Sequence, residues 1–180
     1  MAMGTSTLVP LGEYLRTSYE PDCEWVDGEL QERAVGEGSH GYVQTFFIRY
    51  FLFREQQLAV RVTQEVRVQA LPTHFRIPDV LVMRSSDPFE EIVRTPPLLC
   101  IEVLSPEDRM SDMQDKIDDY LAMGVQSVWV VNPKRRKAFI MEGGALLPVQ
   151  ELTVPGTRIR IQVADIFAGL DELKAANSLK

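Results

Sequence analysis

Apolar residues recur along this chain in two rhythms, and the switches between them mark out the elements. In "SHGYVQTFFIRYFLFREQQ" the positions Val43, Phe46, Phe47, Tyr50, Phe51 and Phe53 keep mostly helical spacing, which predicts a long, largely buried helix over about 40–56 with Ser39 as its cap. The period then drops to two. Val60, Val62, Val66 and Val68 alternate with polar residues, the pattern of a strand over 59–69. Apolar runs at 77–83 and 98–104 read as two more strands, separated by a loop that Asp87-Pro88 and Pro96-Pro97 mark. Helical spacing returns in "SDMQDKIDDYLAMG", predicting a helix over about 111–123 with Ser111 and Gln114 at capping-box separation and Gly124 as its stop. "VQSVWVV" is a strand ended by Asn132-Pro133, "KAFIMEGGALLPV" a hairpin turned at Gly143-Gly144, and "RIRIQV" a last strand before the tail "ADIFAGLDELKAANSLK". Near the start, "PLGEYLRTS" predicts a short helix, and Asp27-Gly28 predicts a tight hairpin over 24–34.

Helix, three strands, helix, strand in the middle of the chain imply an α/β (α+β) domain built on a mixed central sheet flanked by helices, with an extra N-terminal hairpin. A length of 180 residues suits a single domain, 1–180, with one core and no need of disulfides. No internal repeat divides it. Hydrophobic residues at 45% and charged residues at 25% exclude a disordered or fibrous chain. Cys23 and Cys100 stand far apart without metal-ligand spacing, so a reduced, cytoplasmic setting is expected and a zinc site is not. The absence of a long apolar run argues against a membrane partner. A net charge of −7 argues against tight sequence-blind binding of nucleic acid, yet residues 49–94 hold seven arginines against six acids, leaving room for a local basic face.

Two residues break the apolar pattern. Asp79 in "RIPDVLVM" and Glu102 in "LLCIEVLSP" place a carboxylate where a hydrophobe belongs, and an ionised carboxylate taken out of water needs a partner. On neighbouring strands the two can converge on a shared hard cation such as Mg2+ (or Mn2+), with the backbone carbonyl of Val103 as a further ligand and Glu65 as a possible third acid. For Glu65 a solvated strand face is an equally good account. At about 100° per residue, Lys116 borders the buried stripe of its helix, where it can reach a carboxylate cluster. Its competing partners are Asp112 and Asp119 on the same helix.

A proline-aspartate, a glutamate after an intervening loop, and then a lysine resemble the PD-(D/E)XK nuclease superfamily and its restriction-endonuclease-like fold. More closely, "EWVDGEL", "SHGYV", "RIPDVLVM", "IEVLSPEDR", "DKIDDYLAMGV" and "WVVNP", a core of about 24–133, together resemble the Uma two family of restriction-endonuclease-like proteins. The resemblance implies metal-dependent hydrolysis of nucleic-acid phosphodiesters, DNA ahead of RNA, with Asp79 and Glu102 on magnesium. The lysine expected two residues after the glutamate is replaced by Leu104, and Lys116 matches a position to which the family moves it. Glu24 and His40 also match family positions. By ordinary chemistry Glu24 pairs with an arginine and His40 makes a helix-start backbone hydrogen bond. A homodimer would suit cleavage of both strands of a duplex. The rival is a non-catalytic nucleic-acid- or protein-binding module that keeps the fold. "PKRRK" at 133–137 can contact phosphates or form a solvated turn.

Overall fold

A computed structural model describes residues 8–34 and 36–177. The order is α1 (Leu11–Tyr14), β1 (Cys23–Val26), β2 (Glu29–Glu32), α2 (Gly38–Leu52), α3 (Glu55–Leu58), β3 (Val60–Thr63), β4 (Val68–Leu71), β5 (His74–Arg76), β6 (Val80–Arg84), β7 (Leu99–Val103), α4 (Met110–Met123), β8 (Ser127–Asn132), β9 (Lys137–Glu142), β10 (Ala145–Val149), β11 (Glu151–Thr153), β12 (Arg160–Gln162) and α5 (Val163–Asn177). A six-stranded sheet runs β10-β9-β8-β7-β6-β3, and a four-stranded sheet runs β2-β1-β5-β4. Within the larger sheet β7 pairs parallel with β8 and the other pairings are antiparallel, so the sheet is mixed.

Both faces of the larger sheet are covered, which explains why its central strands read as unbroken apolar runs. Val80, Val82, Leu99, Ile101, Trp129 and Val131 share one core with Phe47 and Phe51 of α2 and Ile166 and Phe167 of α5. Leu81, Cys100, Val128 and Val130 face the other way and pack with Met113, Ile117 and Tyr120 of α4. A third cluster, Tyr14, Trp25 and Phe75, seats the N-terminal hairpin on β5. Asp27 and Gly28 turn that hairpin with φ of 50° and 93°, as the dipeptide predicts.

The structure departs from the sequence reading in several places. The alternating run at 59–69 is two strands in different sheets, because Glu65 takes φ 53° and its N–H turns to Pro78 O at 3.2 Å. The short strands β5 and β11 were not expected, and the helix expected over about 40–56 divides into α2 and α3. Neither anticipated cap forms: α2 starts at Gly38 with Ser39 inside it, while Ser111 and Gln114 bond Asp112 and Asp118 instead of closing a box. The tail is the helix α5, whose Val163, Ile166, Phe167 and Leu170 keep i, i+3, i+4, i+7 spacing and are buried.

Gly124 does end α4 as expected, at φ 97°. Alanine there would meet only ordinary van der Waals neighbours on Pro96, so the cost is the left-handed backbone alone. Gly124→Ala is expected to lower stability by about 1 kcal/mol in urea unfolding; a neutral result would mean that the cap relaxes.

Candidate active site

The register of the central sheet decides where the two misplaced acids go. β6 and β7 pair Val80 with Ile101 and Leu81 with Cys100, so one step further along the ladder Asp79 lies opposite Glu102. Both share the alternation of Leu81 and Cys100, which faces α4. The carboxylates therefore converge at one end of the sheet, 4% and 2% exposed. They line a cleft of about 40 Å3 together with Arg33, His40, Val103, Ser105, Asp108 and Lys116.

Each carboxylate is held by several groups. Asp79 Oδ1 accepts from Arg33 at 2.7 Å, and Oδ2 accepts from the Val103 N–H at 2.7 Å and lies 3.3 Å from His40 Nε2. Glu102 Oε1 accepts from the Tyr120 hydroxyl at 2.6 Å, and Oε2 lies 3.4 Å from Lys116 Nζ. Lys116 reaches further, to Glu24 Oε1 at 2.9 Å. Glu24 also accepts from the Ile77 N–H at 3.0 Å and from Arg76 at 3.0 Å. Arg76 continues to Gln31 at 2.9 Å and to Asp119 at 2.6 Å, and Asp119 to His74 at 2.7 Å. Among the described residues no buried side-chain nitrogen or oxygen lacks a partner.

The structure thus brings Asp79, Glu102, Val103, Lys116, Glu24 and His40 into one assembly. Glu24 does pair with an arginine, and also with Lys116. His40 bonds a side chain rather than the backbone expected of it. Lys116 turns to Glu24 and Glu102, leaving Asp119 to Arg76 and His74. Glu65 joins only through intermediaries: its half-exposed side chain lies 3.8 Å from Arg33 and 3.3 Å from Gln44, outside the cleft. In the "PKRRK" turn Lys134 and Arg135 are exposed, whereas Arg136 is tied to Pro133 O and Asp171. Arg33, Arg76 and Tyr120 escaped the sequence reading as site residues. Tyr120 carried a signal, four residues after Lys116 on the same helix face.

The environment splits the acids. Burial opposes the charge of Asp79, but His40, the Val103 N–H and Arg33 outweigh it and hold its carboxyl below the usual range. Burial dominates at Glu102 and, with Asp79 and Glu24 nearby, pushes it up to about 7 against Lys116 and Tyr120. Burial would lower Lys116, but Glu102 and Glu24 overcome it and raise the ammonium. A raised carboxyl favours the folded state where it binds a proton the unfolded chain has lost. The Glu102 contribution therefore declines from about pH 4.5 to about 7. Glu102→Gln is expected to match or exceed wild-type stability at pH 8, by on the order of 1 kcal/mol, with the gain vanishing near pH 5. Urea unfolding across that range checks it, and a pH-independent loss would contradict it.

In kind, the residues suit an oxygen-seeking divalent cation: two carboxylates and Val103 line one cleft, and water and substrate oxygens would complete its shell. Among the described residues no three His, Cys, Asp or Glu side chains are grouped to hold a metal by themselves. None of the described helices is long and apolar enough to cross a membrane.

A family model described as Uma2, "Putative restriction endonuclease", matches residues 11–170. The crystal structure of a "putative nuclease belonging to DUF820" from Anabaena variabilis superposes with a TM-score of 0.76 at 22% identity, covering 90% of this chain and 99% of that chain, and shows the shared fold. The cryo-EM structure of a DrdV-DNA complex gives a TM-score of 0.40 at 19% identity over 72% of this chain and 11% of that chain, too slight a likeness to carry an argument. No match is found among curated proteins.

Proposed function

We propose, from the premise that this chain belongs to the Uma2 family of restriction-endonuclease-like proteins, that it is a magnesium- or manganese-dependent nuclease hydrolysing phosphodiester bonds of nucleic acid, DNA ahead of RNA. The observation that carries the reading is the convergence of Asp79 and Glu102 from adjacent strands on one cleft, with Lys116 3.4 Å from Glu102.

Asp79, Glu102 and the Val103 carbonyl would hold the cation, with Glu65 at its margin. A bound cation would polarise the scissile phosphate and acidify water. The protein's own groups do the remainder. Glu102, at the edge of the cleft beside Lys116, can accept a proton from the water that attacks phosphorus as the bond to the leaving oxygen breaks. Lys116 can donate to the attacking water or to the phosphoryl oxygens as charge builds on them. Exposed Lys134 and Arg135 follow β8 at the end of the sheet where Val103 pairs with Val131, and so lie near the strand end that carries the cleft. Two such clefts about a twofold axis in a homodimer would address both strands of a duplex.

One observation favours a second reading, a non-catalytic binding module. The carboxylates already have partners in the Arg33 guanidinium, the His40 ring and the Lys116 ammonium, and Leu104 fills the usual lysine position.

Purified protein incubated with plasmid, single-stranded DNA and RNA, with magnesium, manganese or chelator, distinguishes the two. Nicking that needs the cation and is lost in the Asp79→Asn, Glu102→Gln double variant supports the nuclease. Binding without cleavage of any substrate supports the module. Sedimentation of the same sample tests the dimer.

A further inference from the structure

We propose that Arg33 is a phosphate-binding residue of the cleft, which rests on Asp79 until a divalent cation replaces it there and then turns to the substrate. This rests on the cation reading above and assigns a residue that it leaves without a role. Asp79 Oδ2 is committed to the Val103 N–H at 2.7 Å and to His40 at 3.3 Å. Oδ1 is the oxygen left for a cation, and the Arg33 guanidinium sits on it at 2.7 Å.

A divalent cation on Oδ1 competes with the Arg33 guanidinium for that oxygen, because the two positive charges repel in a site of low dielectric. Cation binding therefore displaces Arg33. The displacement needs no rearrangement of the sheet: Arg33 lies beyond the last paired residue of β2, and its backbone N–H stays anchored on Asp22 O at 3.0 Å while the side chain rotates. As it rests on Asp79 the Arg33 side chain is 14% exposed and already lines the cleft that Lys116 also lines, with Glu65 3.8 Å from its other nitrogen. Its planar fork of N–H donors matches the oxygens of a phosphate, which a nucleic-acid strand would bring to the cleft. Before the cation arrives Arg33 neutralises Asp79; afterwards the same charge is turned on the phosphate.

Two readouts that need no turnover test this: Mn2+ binding by electron paramagnetic resonance titration, and binding of a short DNA duplex in Ca2+ by fluorescence anisotropy. Wild type, Arg33→Met and Arg33→Lys are compared, with circular dichroism as the check on folding. Removing an internal competitor raises the binding-competent fraction, so Arg33→Met is expected to bind Mn2+ roughly tenfold more tightly or better. The same variant is expected to bind the duplex roughly tenfold more weakly, through loss of a charge-assisted phosphate contact. Arg33→Lys should shift both readouts in the same directions by less, and decides the matter if Arg33→Met does not fold. Unchanged or weaker Mn2+ binding in a folded variant overturns the inference while leaving the cation site standing, as does unchanged duplex affinity. Failure of all three proteins to bind Mn2+ removes the cation reading and the inference with it.

Discussion

Lys116→Ala is expected to slow magnesium-dependent cleavage by roughly 10² or more, about 2.7 kcal/mol of lost transition-state stabilisation. The fold should survive. Glu24 keeps Arg76 and the Ile77 N–H, and Glu102 keeps Tyr120. Lys116 is also the chief group lowering the Glu102 carboxyl, so its removal should move the acidic limb of the rate profile to higher pH. Lys116→Arg should restore little, because the planar guanidinium cannot place a donor where the compact ammonium sits between two carboxylates. Single-turnover nicking at several pH values, with thermal melts of each variant, gives the answer. Equal rates and an unmoved profile would reduce Lys116 to a structural counter-ion.

Arg76→Ala should be the most damaging change to stability in the charged network, at about 3–5 kcal/mol. Its guanidinium is buried, 3.0 Å from buried Glu24 and 2.6 Å from buried Asp119, and it also reaches the exposed Gln31 at 2.9 Å. Truncation strands two carboxylates that Lys116 and His74 can only partly neutralise. In a chain of this length the loss corresponds to roughly 10 °C in melting temperature. Arg76→Lys should recover only part of it, since one ammonium cannot span three acceptors. A loss below about 1 kcal/mol by urea unfolding would show that the network rearranges around the gap.

The acids and the helix carrying Lys116 were legible because local rules govern them. A charge inside an apolar strand stands out against its neighbours, and the angular position of Lys116 follows from helix geometry. What escaped depends on tertiary choice. The valine alternation continues through Thr63, Gln64 and Glu65, and nothing in its period reveals that Glu65 turns left-handed and sends the chain into another sheet. Partner selection is equally invisible: Asp112, Asp119, Glu24 and Glu102 are all plausible mates for Lys116, and only the docking of β1 on β5 chooses Glu24. Arg33 carries no periodic mark at all. Its role follows from where the loop after β2 delivers it.

That docking bears on when the site comes into being. Glu24 bonds groups 52 and 53 positions ahead of it, and Tyr120 lies 18 positions beyond Glu102. Contacts so remote along the chain form late, because their loops must close before any bond rewards them. On a ribosome adding residues from the N-terminus, Glu24 emerges early and waits while Arg76, Glu102, Lys116 and Tyr120 are still unmade. A nascent chain that has released its hairpin, and even β3, β6 and β7 of the central sheet, therefore has no assembled charge network, and any hydrolytic capacity appears only once α4 has left the exit tunnel.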